Sequence, residues 1–246
     1  MTIAFEVSLT SYTKRFQSLY VVLSEILNWD ILPELINLNL TQEDFELLPS
    51  KIMYSEFSHL LRINIVEDWG PAGKLIPSLM KQRHLPIVTI DDDIHYKPSQ
   101  ITRLLAEHMV FPSCIIAGRA HRILLDQKNN PLPYLQWDLE TKERRGPSKD
   151  LFPTGAGMVL YPLDVLHRDD FNLKNFSNDT LWNDDIWFYF QARRKGTLIR
   201  RVPHGQALTY VEGTQEVGLW QNGNQIRNDL VFSELIKVFG NPVFMD

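Results

Sequence analysis

One cysteine, Cys114, stands among 246 residues, which excludes an intrachain disulfide and any CxxC metal or redox site. It lies in the apolar run "SCIIAG" and reads as a buried core thiol. Long hydrophobic runs are missing too: no window approaches the ~18 consecutive apolar residues that span a bilayer. The start, "MTIAFEVSLTSYTKRF", lacks the positive segment and apolar stretch of a secretory signal. The expectation is a cytoplasmic protein, with peripheral contact at the inner face of a membrane still compatible. Positive charge is scarce as well. Lys and Arg total 25 against 30 Asp and Glu, a formal charge of -5, so no global field exists to hold a nucleic acid backbone. A local basic pocket for one phosphate-bearing molecule is not excluded by that count. Low-complexity segments and internal repeats are absent.

What is present begins with 44% hydrophobic residues, enough to bury a large α/β core. "IAFEVSL", "ELINLNL", "LLRINIVED" and "PIVTI" read as strands, the last in the near-continuous apolar style of a parallel sheet covered on both faces. Phe16, Leu19, Tyr20, Leu23, Ile26 and Leu27 recur at helical spacing, and "AGKLIPSLMKQ" reads as a second helix. "PSQITRLLAEHMV" opens on Pro98, at the helix position where a missing N–H costs nothing. A strand "SCIIAGRA" follows. Between His121 and Pro153 apolar periodicity is lost, and a mobile excursion is expected there. "FPTGAGMVLYP" is a glycine turn entering a strand, "TLIRRVP" another strand, and "NDLVFSELIKVFG" a closing amphipathic helix. In "WNDDIWFYFQARRKG" Asn183 is the cap candidate, two acids occupy the first helical turn and basic residues the last. Alternating strands and helices imply a doubly wound sheet, in which ligands bind outside the carboxyl ends of the strands.

The stretch "LPIVTIDDDIHYKP" places Asp91, Asp92 and Asp93 at such an end. Like charges about 4 Å apart repel by roughly 1 kcal/mol in water and ~4 kcal/mol at an effective dielectric of 20. A cation cancels that cost, and oxygen ligands suit Mg²⁺ or Mn²⁺, which are commonly held by one or two carboxylates plus substrate phosphates. The bland alternative is an acidic turn that caps the next helix. Lys74, after the turn formed by Gly70, Pro71 and Gly73, and Arg15, after the first strand, are either anion contacts or surface cations. Tyr12 either stacks on a base or packs on its loop.

An apolar strand ending in "DDD" resembles the DXD motif of GT-A glycosyltransferases, nucleotide-sugar-dependent enzymes in which that motif holds a divalent cation. Four further segments resemble the same fold in the same order: "VSLTSYTKR", "DWGPAGKLIPSL", "GAGMVLYP" and "WNDDIWFYFQARRKG". The resemblance implies a single GT-A domain over residues 1–246, an αβα sandwich around a mainly parallel Rossmann-like sheet. Residues 1–119 would form the nucleotide-sugar half and residues 120–246 the acceptor half. It implies donor contacts from Thr10, Tyr12, Arg15, Lys74, Asp91 and Asp92, and a Mn²⁺ or Mg²⁺ site at Asp93 and Asp91 completed by His204. Acceptor contacts fall to Gly155, Ala156, Gly157 and Trp182. Asp185 is favoured as catalytic base, with Asp184 sharing its site or orienting the acceptor. The activity implied is transfer of a hexose or related sugar, from a uridine diphosphate donor, to a hydroxyl of a glycan or glycolipid, as in lipopolysaccharide or capsule synthesis. Inverting and retaining chemistry are both compatible.

Two rival readings use the same residues. A phosphatase of the haloacid dehalogenase type also ends a buried strand in DxD, which would make Asp91 nucleophile, Asp93 general acid, and Asp184 and Asp185 metal ligands. His95 stands where that family has Thr or Val, and the motif follows several strands instead of opening the domain. A non-catalytic sugar- or nucleotide-binding module needs only the first group of acids, so the second pair argues for an enzyme.

Overall fold

A computed structural model describes residues 3–167, 183–205, 207–214 and 224–245. The strands are β1 (Glu6–Thr10), β2 (Leu35–Leu40), β3 (Leu61–Ile65), β4 (Ile87–Thr89), β5 (Ile115–Ala117), β6 (Ala120–Arg122), β7 (Leu151–Pro153), β8 (Val159–Tyr161) and β9 (Ile199–Arg201). The helices are α1 (Phe16–Ile26), α2 (Gln42–Glu46), α3 (Ser50–Met53), α4 (Ile76–Leu79), α5 (Pro98–Val110), α6 (Asp184–Arg194) and α7 (Asn224–Phe239). Seven strands form one sheet in the order β3-β2-β1-β4-β8-β5-β9, and β6 and β7 pair as a separate ribbon. The large sheet is mostly parallel; β8 alone runs antiparallel to its neighbours β4 and β5.

Period-two alternation explains why both faces are covered. Ile87, Ile115, Val159, Tyr161 and Ile199 point into a core with α6 and α7. Val88, Ile116 and Leu160, one residue along, point into the opposite core with α1 and α5. β1 and β2 send Val7, Leu9, Ile36, Leu38 and Leu40 to the α1 side. Their other face is polar and buried: Ser8 Oγ lies 2.9 Å from Ser78 Oγ, and Asn39 Nδ2 donates to Gly73 O at 2.9 Å. That face therefore needs a backbone-rich cover instead of an apolar helix.

The cover is the segment expected to be a long helix. It is a 3-10 turn, Gly70–Lys74, followed by the single helical turn of α4. Gly70, Pro71, Gly73 and Pro77 each punctuate it, and Asn39 takes the Gly73 carbonyl that a continuing helix would use. "SCIIAGRA", read as one strand, divides instead between β5 in the large sheet and β6 in the ribbon. The excursion after His121 is tied down: Asp150 pairs with Arg122 at 3.0 Å and Arg144 at 3.2 Å, and Tyr134 and Trp137 are buried in the core. α2 and α3 had no counterpart in the sequence reading.

At the far end of α6, the fully buried Arg193 fastens the C-terminal segment. Its Nε donates to Pro242 O at 3.0 Å, its Nη1 to Thr197 O at 2.6 Å, and its Nη2 to Met245 O. Arg193→Met keeps the side-chain length but leaves those carbonyls unpaired, so urea unfolding should show a loss of about 3 kcal/mol. An unchanged midpoint would contradict the anchoring role.

Candidate functional site

A cavity of about 1460 Å³ opens at the carboxyl ends of the central strands. Among the described residues ten carboxylates line it against three cationic side chains, Arg15, Lys74 and Arg119. Thr10, Tyr12, Arg15, Lys74, Asp91, Asp92, Asp93, Ala156, Asp184 and Asp185 all face this one space, although they come from five separated segments.

The three adjacent acids are handled one by one. Asp91 Oδ1 accepts from Lys74 Nζ at 3.0 Å. Asp92 Oδ2 accepts from Ser11 Oγ at 2.5 Å, with Arg15 Nη1 3.5 Å from its other oxygen. Asp93 Oδ2 is ion-paired with Arg15 Nη1. Burial pushes the Asp92 carboxyl up to about 7, against the lowering effect of Ser11 and Arg15. Burial and the Asp91 charge likewise raise Asp93, with Arg15 opposing. The remaining oxygens, Asp91 Oδ2 and Asp93 Oδ1, have no partner among the described residues.

Lys74 joins this group to the second pair of acids. Its Nζ lies 3.1 Å from Asp184 Oδ2, an ion pair without hydrogen-bond geometry, and 3.0 Å from Asp91 Oδ1. The side chain is 7% exposed. Burial alone would lower the ammonium pKa; Asp184, Asp91 and Asp185 together outweigh it and hold the group charged. A surface lysine is thus excluded, and so is a lysine extended freely toward solvent. Asp185 is anchored differently: its Oδ2 accepts the Gly155 N–H at 2.9 Å. Burial raises its pKa, with Lys74 and that N–H opposing.

The glycines at 155 and 157 are needed for close approach. A Cβ at Gly155 would stand 2.5 Å from Lys74 Nζ and 2.7 Å from Asp185 Oδ1. One at Gly157 would stand 2.3 Å from the Arg119 Cβ. Ala156 presents its carbonyl to Tyr96, whose hydroxyl donates to it at 3.2 Å and accepts the Asp91 N–H at 2.9 Å. Tyr96 therefore pins the acid turn to the glycine turn, a link that nothing in the local sequence announces.

His204 is exposed, in a left-handed turn at φ 64°, and does not line the cavity. Asn183 occupies the cap position of α6, without a side-chain capping bond. Trp182 lies outside the described residues. The wall beyond Asp185 was missed by sequence reasoning. Arg119 donates to Thr154 Oγ1 at 2.9 Å and to Glu140 Oε1 at 2.8 Å; His121, Tyr134, Tyr210 and Asn228 line the cavity beside them. Each comes from an element whose own pattern marks only packing.

Among the described residues no cluster of three or more His, Cys, Asp or Glu side chains forms a ready metal cage. The donor chemistry nevertheless fits a hard divalent cation: the free oxygens of Asp91 and Asp93 supply part of a shell, and a ligand's phosphate oxygens would supply more.

Burial pushes Asp184 up to about 7, with Lys74 opposing and the Asp185 charge adding to the rise. The folded protein then holds a proton that the unfolded chain loses near pH 4, so this group favours folding at low pH and the contribution disappears as pH rises through 7. Asp184→Asn should flatten the fall in unfolding free energy between pH 4 and 7, measured in EDTA, by roughly 2 to 4 kcal/mol. A variant curve parallel to that of the wild type would contradict this.

No protein-family model matches the chain, and no curated protein matches it by sequence. Solved structures do share its fold. The mannosyltransferase PcManGT of Pyrobaculum calidifontis, solved with GDP-Man and Mn²⁺, superimposes with a TM-score of 0.60 at 15% identity, over 96% of this chain and 65% of that one. S. aureus TarS 1-349 superimposes with a TM-score of 0.50 at 14% identity, over 87% of this chain and 61% of that one. A Bacillus anthracis protein described as a glucose-1-phosphate thymidylyltransferase gives a TM-score of 0.50 at 13% identity, over 93% of this chain and 96% of that one. The chain thus spans under two thirds of the length of the first two proteins. Its mixed α/β architecture is the GT-A, Rossmann-like fold.

Proposed function

We propose that the protein is a metal-dependent glycosyltransferase that moves a sugar from a nucleotide-diphosphate donor, a uridine diphosphate sugar in the first instance, to a hydroxyl of a glycan or glycolipid. The observation that carries this reading is the cavity itself. Asp91–Asp93 and Asp184–Asp185 face one space at the strand ends, bridged by buried Lys74. A cavity with ten carboxylates repels a diphosphate unless a cation intervenes. The likeness in fold to a mannosyltransferase solved with GDP-Man and Mn²⁺ supports the same reading.

In this reading Asp93 and Asp91 hold Mn²⁺ or Mg²⁺, which supplies charge stabilisation for the departing diphosphate. Arg15 keeps the Asp92 and Asp93 side chains in place, and Tyr12, 40% exposed at the rim, is available to stack on the base. Thr10 Oγ1 donates to Asn39 O at 2.8 Å, which ties the donor end of β1 to β2. Asp185 takes the proton from the acceptor hydroxyl at its carboxylate oxygen. It suits that role better than Asp184, since a backbone N–H orients it and no direct ion pair neutralises it. Asp184 holds Lys74 between the two groups of acids. The glycine turn at residues 155–157 lets the acceptor approach the backbone. His204, outside the cavity lining, receives no role.

The roles separate by mutation. Titration of Mn²⁺ with and without uridine diphosphate should show metal-dependent nucleotide binding that Asp93→Ala abolishes. Asp185→Asn should bind the donor nearly as well as the wild type and lose about 10²- to 10⁴-fold in transfer. Equal loss of donor binding in both variants would overturn the assignment. Hydrolysis of simple phosphate monoesters would favour the phosphatase, and nucleotide binding without hydrolysis or transfer of any sugar would favour the binding module.

A further inference from the structure

Beyond Asp185 the cavity continues to an end that the donor, the cation and the base leave unused. Its roof is α7, held down where Asp229 Oδ1 accepts the Tyr134 N–H at 2.7 Å. One turn face of that helix presents Asn228, 7% exposed, to the cavity, and its amide pairs with no described residue. Its amide atoms stay in contact with the cavity space, and an amide that opens on a cavity is satisfied by whatever fills it.

His121 stands in the same wall, 2% exposed. Its Nδ1 accepts the Glu140 N–H at 2.9 Å, so the neutral ring carries its proton on Nε2. Burial, then the Arg119 charge, push its pKa down to about 3, and the ring stays neutral through the working range. Phe152 stacks on it with ring centroids 6.3 Å apart, and Tyr134 meets it edge-on at 5.6 Å. Both residues also border the cavity from the core behind it, Tyr134 at 6% exposure and Phe152 at 1%. Among the described residues the one cation at this end is Arg119, which is paired with Glu140.

Fixed neutral donors and acceptors, an aromatic border and, among the described residues, no cation without a carboxylate partner suit a ligand with many hydroxyls, apolar ring faces and no charge. We infer that this end of the cavity, built by Asn228, His121, Tyr134 and Phe152, binds a neutral pyranose ring, which under the glycosyltransferase reading is the acceptor's terminal sugar. The Asn228 amide and the His121 Nε2–H bond its hydroxyls, and Tyr134, backed by Phe152, offers an apolar edge to its carbon face. An acceptor ending in a carboxylate or phosphate is disfavoured.

The test uses saturation-transfer NMR on the full chain, with and without uridine diphosphate and Mn²⁺. The probes are the methyl glycosides of glucose, galactose, mannose and N-acetylglucosamine, with methyl glucuronide and glycerol phosphate as anionic comparators. At least one neutral glycoside should bind and the anionic probes should not. Asn228→Leu, close in volume, should keep or raise the melting temperature while weakening that glycoside about three- to tenfold. His121→Gln should weaken it as well. The inference is overturned if no neutral glycoside binds, if an anionic probe binds in preference, or if Asn228→Leu binds as the wild type does. Uridine diphosphate binding without glycoside binding sinks this inference and leaves the donor reading standing. Glycoside binding without nucleotide binding does the reverse.

Discussion

One buried ammonium holds the site together. Lys74 lies within 3.1 Å of Asp91 on one side and Asp184 on the other, and each of those acids is buried or half-buried at a strand or helix end. Removing a charge from such a group leaves its partners uncompensated, which costs far more than a surface pair returns. The constraint runs backward into the fold. Lys74 reaches the acids only because the segment before it is a tight 3-10 turn packed on polar side chains of β1 and β2. A regular helix there would aim the lysine elsewhere. It runs forward as well, since Gly155 must lack a side chain for Lys74 Nζ and Asp185 to share the space they occupy.

The remaining positive charge is distributed to match. Arg15 serves Asp92 and Asp93, Lys74 serves Asp91 and Asp184, and Arg119 serves Glu140. Asp185 is left with a backbone N–H as its direct partner. The acids in this cavity therefore differ in what neutralises them, and the proposed division of labour follows from that difference. Carboxylates whose free oxygens stay unpaired suit a cation, and a carboxylate held by a neutral donor suits proton transfer.

Much of the architecture was legible because the strands carry their own signal. Ile87–Ile90 run nearly apolar into three acids, as a strand covered on both faces does, and Leu35–Leu40 alternate leucine or isoleucine with asparagine, the period of a strand with one apolar and one polar face. The acid-led helix at Asp184 and its basic end were visible from dipole chemistry alone. What escaped depends on partners distant in sequence. Tyr96 carried no signal of its own in the sequence, yet its hydroxyl joins Asp91 to Ala156. Arg119 read as the tail of a strand and His121 as the start of a loose excursion, but the chain changes sheets at that point and both residues line the cavity. Asn228 read as one polar position of an amphipathic helix. The long helix expected from Ala72 failed because Gly73 and Pro77 break it and Asn39, a residue on another element, claims a backbone carbonyl.

The central claim is that the three adjacent acids and the acid pair are two sides of one nucleotide-sugar site. A crystal structure of the protein with uridine diphosphate and Mn²⁺ tests it most directly. The diphosphate should lie in the cavity at the strand ends, with Mn²⁺ bound by Asp93 and the open side facing Asp185. A diphosphate and metal seated away from Asp93 would contradict it.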